Sequence, residues 1–352
     1  RHGRSPALAL LGWYEANARD LPWRTGPHER ASGERPEPFH VLLSEVMLQQ
    51  TTVATVAPRY ARFIERWPSA SSLAASPVED LLSEWAGLGY YARARNLHRC
   101  AAAIVGRYGG VVPDTEEALL ALPGVGPYTA AAVAAIAFDR RAVVIDGNIE
   151  RVIARLFAID APMPAAKAAI RARAADIWPQ NRSGEFAEGL MDLGATICTP
   201  RNPECPACPL SASCGAAASG EPERYPRRAQ KAARPNRRGA ALALFDAQGR
   251  VLLERRPDKG LLGGMLGLPG TAWSAEPPDV TAWSALGRPA GRVSHIFTHF
   301  RLDLDVYAGP ARRRTLKVAE IWADARTVRL PTVMRKALDL ALAAKPRHFD
   351  RL

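Results

Sequence analysis

Four of the five cysteines in this 352-residue chain, Cys198, Cys205, Cys208 and Cys214, fall within seventeen residues as C-x6-C-x2-C-x5-C. Only Cys100 lies elsewhere, so the grouping is not a by-product of a cysteine-rich composition. Pro203, Pro206 and Pro209 stiffen the loop between them, and four thiolates so spaced can wrap around one centre. Zinc also accepts four thiolates, but its usual sites come as two close pairs rather than an uneven ladder. The spacing therefore favours a four-iron four-sulfur cluster. Upstream, Leu122-Pro123-Gly124-Val125-Gly126 sets glycines either side of one apolar residue, which allows φ > 0 and lets the backbone come close to another molecule. A helix opening at Pro127 would turn its free N–H groups and positive dipole end toward a phosphate. Taken alone, the pentapeptide is equally an ordinary corner between two helices.

Helices must position these groups. Ser44 to Gln50, Tyr91 to Tyr108, Tyr128 to Phe138 and Ile149 to Phe157 place apolar residues at helical spacing, with Gly109 and Gly110 as a stop. Asp114 followed by Glu117 has the form of a capping box. No strand-rich stretch interrupts residues 1–215, which predicts a mostly α first domain. Residues 216–238 read as a linker; within it, Arg224 to Arg238 carries seven basic side chains, no acidic one and two prolines. From 239 to 352 the pattern turns to period two. Ala240 to Phe245 and Val251 to Arg255 flank Asp246-Ala247-Gln248-Gly249 as a hairpin, His295 to Tyr307 alternates, and Pro331 to Ala344 is amphipathic, together an α/β domain.

A net charge of +12 attracts a polyanion, and nucleic acid is the leading partner. The uncharged window Leu119 to Phe138 is long enough to raise the question of a membrane span, but Pro123, Gly124, Gly126 and Pro127 would break it in the middle. It reads as two helices about a tight turn, with no membrane association. There is no signal-peptide-like apolar run near Arg1, and the lone Cys100 fits a reducing compartment, so a bacterial cytoplasmic, nucleoid-associated monomer is the expectation.

The helix-hairpin-helix motif LPGVGPYTA at Leu122 to Ala130, IDGN at Ile145 to Asn148 and the cysteine loop together resemble the endonuclease-III superfamily of DNA glycosylases. Within it, SEVMLQQT at Ser44 to Thr51, GLGYYARARNL at Gly87 to Leu97 and MDLGATIC at Met191 to Cys198 resemble the MutY-type adenine DNA glycosylases. GLLGGMLGLPG at Gly260 to Gly270 resembles Nudix hydrolases, so the likeness runs over nearly the whole chain. It implies a helical glycosylase domain with an iron-sulfur loop, followed by a Nudix-like domain.

Adenine is a poor leaving group, so cleaving its glycosidic bond needs a proton on the base and a stabilised oxocarbenium-like sugar. The resemblance implies Glu45 as the acid to N7. It likewise implies Asp146, with Asn148 in the same IDGN motif, as the carboxylate at the anomeric carbon, acting by charge or a transient covalent bond. Glu45 must then stay protonated near neutral pH, which burial beside Val46, Met47 and Leu48 would favour. The alternative makes Glu45 a surface carboxylate and Asp146 a plain N-cap. Tyr128 stands where strand-cutting relatives carry a lysine, which implies a monofunctional enzyme with Tyr128 bonding Asp146 or the sugar. Glu150 stands where some adenine glycosylases carry another lysine.

By resemblance Gln50 and Tyr90 fill the gap left by a flipped nucleotide, Arg24 lines the pocket, and Leu122, Gly124, Val125 and Gly126 meet the DNA backbone. The second domain has no R-E-x-x-E-E cluster after Gly270, so it is expected to read rather than hydrolyse. Phe297-Thr298-His299 matches the family's Phe-Ser-His turn, which selects 8-oxoguanine over guanine opposite adenine; Thr298 keeps the hydroxyl. The expected substrate is double-stranded DNA with adenine opposite 8-oxoguanine or guanine. Two other readings compete: a glycosylase and lyase for oxidised pyrimidines, opposed by Tyr128, and a non-catalytic redox-sensing DNA-binding module, opposed by Glu45 and Asp146 both standing in their motifs.

Overall fold

Alanine is the reason so many helices can meet in the first half of the chain. The helix Pro127–Phe138 is buried all round from Thr129 to Ala137, and six of those nine side chains are alanine. Small side chains let neighbouring helices approach closely: a Cβ at Gly184 would come within 2.5 Å of the Ala135 carbonyl oxygen. The computed structural model describes residues 5–85, 87–229, 234–257, 261–283, 285–297, 299–311 and 319–344. Thr298, Gly260 of the glycine-rich motif and Lys231 of the basic run lie outside them. No helix among the described residues is long and apolar enough to cross a membrane.

The chain divides into two compact units, Arg1–Gln230 and Lys231–Leu352. In the first, six helices build the site: α1 (Pro6–Asn17), α2 (Pro38–Leu48), α3 (Ala92–Tyr108), α4 (Pro127–Phe138), α5 (Gly147–Leu156) and α6 (Ser183–Thr196). Gly109, in the left-handed region at φ 62°, ends α3 as expected. The capping box at Asp114 is not what forms. Thr115 is the N-cap of the next short helix, accepting from the Ala118 amide, while Asp114 pairs with Arg140. Residues from 216 to 228, assigned to a linker by charge, are held on this unit: Arg224 and Arg227 pair with Asp160, and the Met163 amide donates to the Arg227 carbonyl.

The second unit is a mixed sheet of β1 (Asn236–Phe245), β2 (Arg250–Arg255), β3 (Leu266–Gly267), β4 (Arg288–Ile296), β5 (Arg301–Pro310) and β6 (Glu320–Asp324). The order is β3-β2-β1-β5-β4, β6 pairs with β2, and β1 runs parallel to β5 from Asn236 opposite Arg301. The hairpin turn forms as read: Asp246 Oδ1 accepts the Gln248 and Arg250 amides, and Gly249 takes φ 76°. The alternating run from His295 to Tyr307 is two strands and not one. It breaks at Phe297, whose amide donates to the Phe300 carbonyl. The closing helix α7 (Thr332–Ala343) covers one face through Val333, Met334, Ala337, Leu338 and Ala341.

Candidate active site

One cavity of about 830 Å³ in the first unit gathers Glu45, Tyr128, Asp146, Asn148, Arg24 and Gln50, with the backbone of Gly124 and Gly126 at its wall. Five helices contribute to its lining, α2, α4, α5, α6 and the helix Val53–Arg66, together with the stretch Arg19 to Arg24 and the turn at Gly124 and Gly126. Glu45 enters from the buried face of α2, and only 6% of it is exposed, so it is no surface carboxylate. The Tyr128 hydroxyl, in the first turn of α4, donates to Glu45 Oε2 at 2.6 Å. That partner corrects the expected bond from Tyr128 to Asp146. Burial pushes the Glu45 carboxyl up to about 7, opposed by the Tyr128 hydrogen bond and assisted by the charge on Asp146. Burial and the adjacent Glu45 carboxylate push the Tyr128 phenol well above its ordinary range, so it remains a donor.

Asp146 does both things that its position allows. Its Oδ1 accepts the Ile149 amide at 2.7 Å and so caps α5, while Oδ2 accepts from Asn148 Nδ2 at 3.2 Å and the carboxylate lines the cavity. Burial raises its pKa above the ordinary value, opposed by the hydrogen bonds from Ile149 and Asn148. The Asn148 side chain is held in turn. Arg151 donates to Asn148 Oδ1 at 2.9 Å, to the Gly194 carbonyl at 2.6 Å and to the Cys198 carbonyl at 2.8 Å. An unbroken line of hydrogen bonds thus runs from the Asp146 carboxylate to the first cysteine of the loop. A Cβ at Gly194 would meet Asn148 Cβ at 2.6 Å, which explains the glycine in MDLGATIC.

The opposite wall is a set of ion pairs that sequence reasoning missed apart from Arg24. Asp192 is fully buried on α6 and accepts from Arg24 at 2.6 Å, from Arg19 Nε at 2.6 Å and from the Arg19 amide at 3.0 Å. Glu188, one turn earlier, accepts from the Tyr14 hydroxyl at 2.9 Å and from Arg30 at 3.2 Å, with Arg24 Nε at 3.7 Å. A signal existed: two acids four residues apart in an otherwise apolar run must share one helix face and find cations inside.

At the cavity mouth, Gly124 takes φ 77°, and a Cβ there would strike Asn96 Cβ at 2.5 Å, so both backbone and space require glycine. Leu122 and Val125 point into the core, and only the backbone of that turn is available to another molecule. Gln50 and Tyr90 are exposed, Tyr90 by 62%, and both occupy the left-handed region at φ 54° and 46°. Non-glycine residues held there store roughly 1–3 kcal/mol each, a cost concentrated at two protruding side chains.

Cys198, Cys205, Cys208 and Cys214 line one small cavity, none of them in a disulfide. The almost fully buried Arg155 braces it, donating to Cys198 Sγ at 3.3 Å and to the carbonyls of Thr199, Pro200 and Tyr225. Burial raises the Cys205 thiol and pushes Cys208 up to about 11. Thiols so placed ionise on meeting a cationic centre and release their protons to solvent. Among the described residues, no three His, Cys, Asp or Glu side chains converge on a site for a single ion.

In the second unit, Phe297 is packed rather than free. Its ring lies 4.9 Å from Phe300, 5.7 Å from Trp273 and 4.6 Å from His295, while His299 is exposed.

Comparison with known proteins gives this geometry a family. Residues 43–180 match the HhH-GPD superfamily of base excision DNA repair proteins, and residues 240–340 match the NUDIX domain. The chain is 35% identical to the adenine DNA glycosylase of Mus musculus, over 85% of this chain and 69% of that one. To the human adenine DNA glycosylase it is 32% identical, over 96% and 74%. To that of Mycolicibacterium smegmatis it is 44% identical, over 58% and 67%. The solved structure of a thermostable thymine-DNA glycosylase superposes with a TM-score of 0.53 at 30% identity, covering 60% of this chain and 95% of its own. Helical glycosylase unit, Nudix-like unit and relatives matched over more than two thirds of their length agree: the chain belongs to the MutY family of adenine DNA glycosylases.

Proposed function

We propose that this protein is a monofunctional DNA glycosylase that hydrolyses the N-glycosidic bond of adenine opposite 8-oxoguanine or guanine in double-stranded DNA. The observation that carries the reading is a pair of carboxylates, the buried Glu45 and the half-buried Asp146, in one cavity with different partners. Glu45 is poised near neutrality and delivers its proton to N7 as the bond electrons pass to the base. Asp146, steadied by Asn148 and the Ile149 amide, faces the positive charge that develops at the anomeric carbon. Water then adds its hydroxyl to that carbon and its proton goes to a carboxylate, leaving free adenine and an abasic site. With a phenol at Tyr128 no Schiff base forms and the strand stays intact.

Flipping the nucleotide leaves a hole in the stack, and Gln50 and Tyr90, already held out from the surface, are the groups to fill it. The Gly124 and Gly126 turn offers amides to a phosphate, and the net charge of +12 supplies the long-range attraction. The four cysteines suit a four-iron four-sulfur cluster: uneven spacing, one shared cavity and an internal arginine against Cys198. Bound there, a cluster would cross-link the loop that follows α6. His299, with the hydroxyl of Thr298, is the reader of the opposite base, and the packed Phe297 anchors that turn.

The test is single-turnover release of adenine from duplexes carrying it opposite 8-oxoguanine, guanine or thymine, with and without alkali. Release fastest opposite 8-oxoguanine, with strand breaks only after alkali, is expected. Breaks without alkali would restore the lyase reading. Tight binding with no release would leave a non-catalytic module.

A further inference from the structure

Arg93 stands in the first turn of α3, away from the carboxylates, yet one guanidinium holds two segments that the reaction needs together. Its Nη1 donates to the carbonyls of Val46 at 2.8 Å and Met47 at 3.0 Å, in the last turn of the helix that carries Glu45. Its Nη2 donates to the carbonyls of Leu88 at 3.0 Å and Gly89 at 3.3 Å, in the turn that ends on Tyr90. The same guanidinium lies 5.3 Å from the Trp85 ring centroid and 5.9 Å from that of Tyr90. Gly87 and Gly89 take positive φ freely, but Tyr90 at φ 46° does not, so its conformation is held by its surroundings rather than by its own preference.

Carbonyls at a helix C-terminus lack intrahelical partners and carry the negative dipole end, so a cation there fixes where α2 stops. Just beyond, Gln49 Nε2 donates to Thr129 Oγ1 at 3.2 Å, beside Tyr128. A displacement of the Tyr90 turn therefore pulls on the end of the Glu45 helix. From there it reaches the helix whose tyrosine binds Glu45.

We propose that Arg93 is a positioning residue that couples insertion of Tyr90 into the DNA stack to the placement of Glu45 against the extruded base. The proposal rests on the glycosylase reading above. Lysine keeps the charge but offers one nitrogen on a flexible stem, and cannot serve both pairs of carbonyls at once.

The experiment is a double-mutant cycle on single-turnover adenine release at saturating enzyme, using wild type, Arg93→Lys, Tyr90→Ala and the double variant. Binding to a duplex bearing a cleavage-resistant 2′-fluoroadenosine and thermal melting are measured alongside. Coupling predicts that Arg93→Lys slows release by about tenfold or more with far less change in binding, and loses most of that effect when Tyr90 is already alanine. Equal losses in both backgrounds would make Arg93 a local packing residue and overturn the proposal. So would a wild-type release rate in Arg93→Lys. Should Arg93→Lys melt below the assay temperature, Arg93→Gln completes the same cycle. A wild-type protein that releases no adenine removes the glycosylase reading and this proposal with it.

Discussion

Two ends of one cavity treat buried carboxylates in opposite ways. At the α6 end, Glu188 and Asp192 are surrounded by Arg19, Arg24, Arg30 and the Tyr14 hydroxyl. At the α2 end, Glu45 is also buried and has, among the described residues, one hydrogen-bond donor, Tyr128. Partner number decides the outcome. The acids facing guanidiniums form ion pairs that shape a wall, whereas burial with one phenol as partner holds the Glu45 proton near neutrality. Ionic groups inside a protein therefore need not share a purpose because they share a cavity.

Substitutions can break this contrast, and the largest effect should be on rate. Glu45→Gln keeps the shape, removes the proton source and should slow adenine release by about 10²–10⁴-fold while duplex binding survives. Its stability should move the other way. The folded pKa of about 7 lies above the ordinary 4.5, so the stabilisation from this proton is complete below about 4.5 and lost as pH rises through about 7. Melting at about pH 8 should show Glu45→Gln no less stable than wild type, by on the order of 2 kcal/mol in its favour.

Asp192→Ala should do the reverse and cost about 3 kcal/mol of stability, because the buried Arg24 loses its 2.6 Å partner and keeps only the longer contact to Glu188. A melting temperature equal to wild type would show that the ion-paired wall does not need its central acid. Cys208→Ser should abolish any visible absorbance of an iron-sulfur chromophore and weaken duplex binding by on the order of tenfold, with Glu45 untouched. Unchanged absorbance would remove Cys208 from the ligand set. The smallest effect belongs to Tyr128→Phe. The Tyr128 hydrogen bond lowers the Glu45 pKa, so its loss should move the alkaline limb of the rate profile to higher pH, with a several-fold drop in rate. A limb that moved down would mean that Tyr128 stabilises the protonated acid instead.

Much of the site was legible in the sequence because its parts sit in short local motifs. The Gly124 turn, the Asp146 cap and the cysteine loop each carry their constraint within a few residues, and each forms. What escaped was long-range. Tyr128 and Glu45 are far apart in the chain, and nothing local decides whether that hydroxyl meets Glu45 or Asp146. For the clamp on α6, the spacing of Glu188 and Asp192 called for buried cations, but beyond Arg24 nothing local showed that Arg19 and Arg30 would supply them, since arginine is abundant and a pairing partner leaves no periodic trace. In the second unit the Phe297-Thr298-His299 turn was legible only through the family resemblance, since alternation from His295 to Tyr307 does not mark where one strand ends at Ile296 and the next begins at Arg301.

The most direct test of the central claim is the pH dependence of single-turnover adenine release from an adenine:8-oxoguanine duplex, measured for wild type and Glu45→Gln. A wild-type rate that falls as pH rises through about 7, with Glu45→Gln slow and flat over the same range, is the predicted result. A Glu45→Gln rate equal to wild type, falling over the same pH range, would contradict it and move the proton to another group.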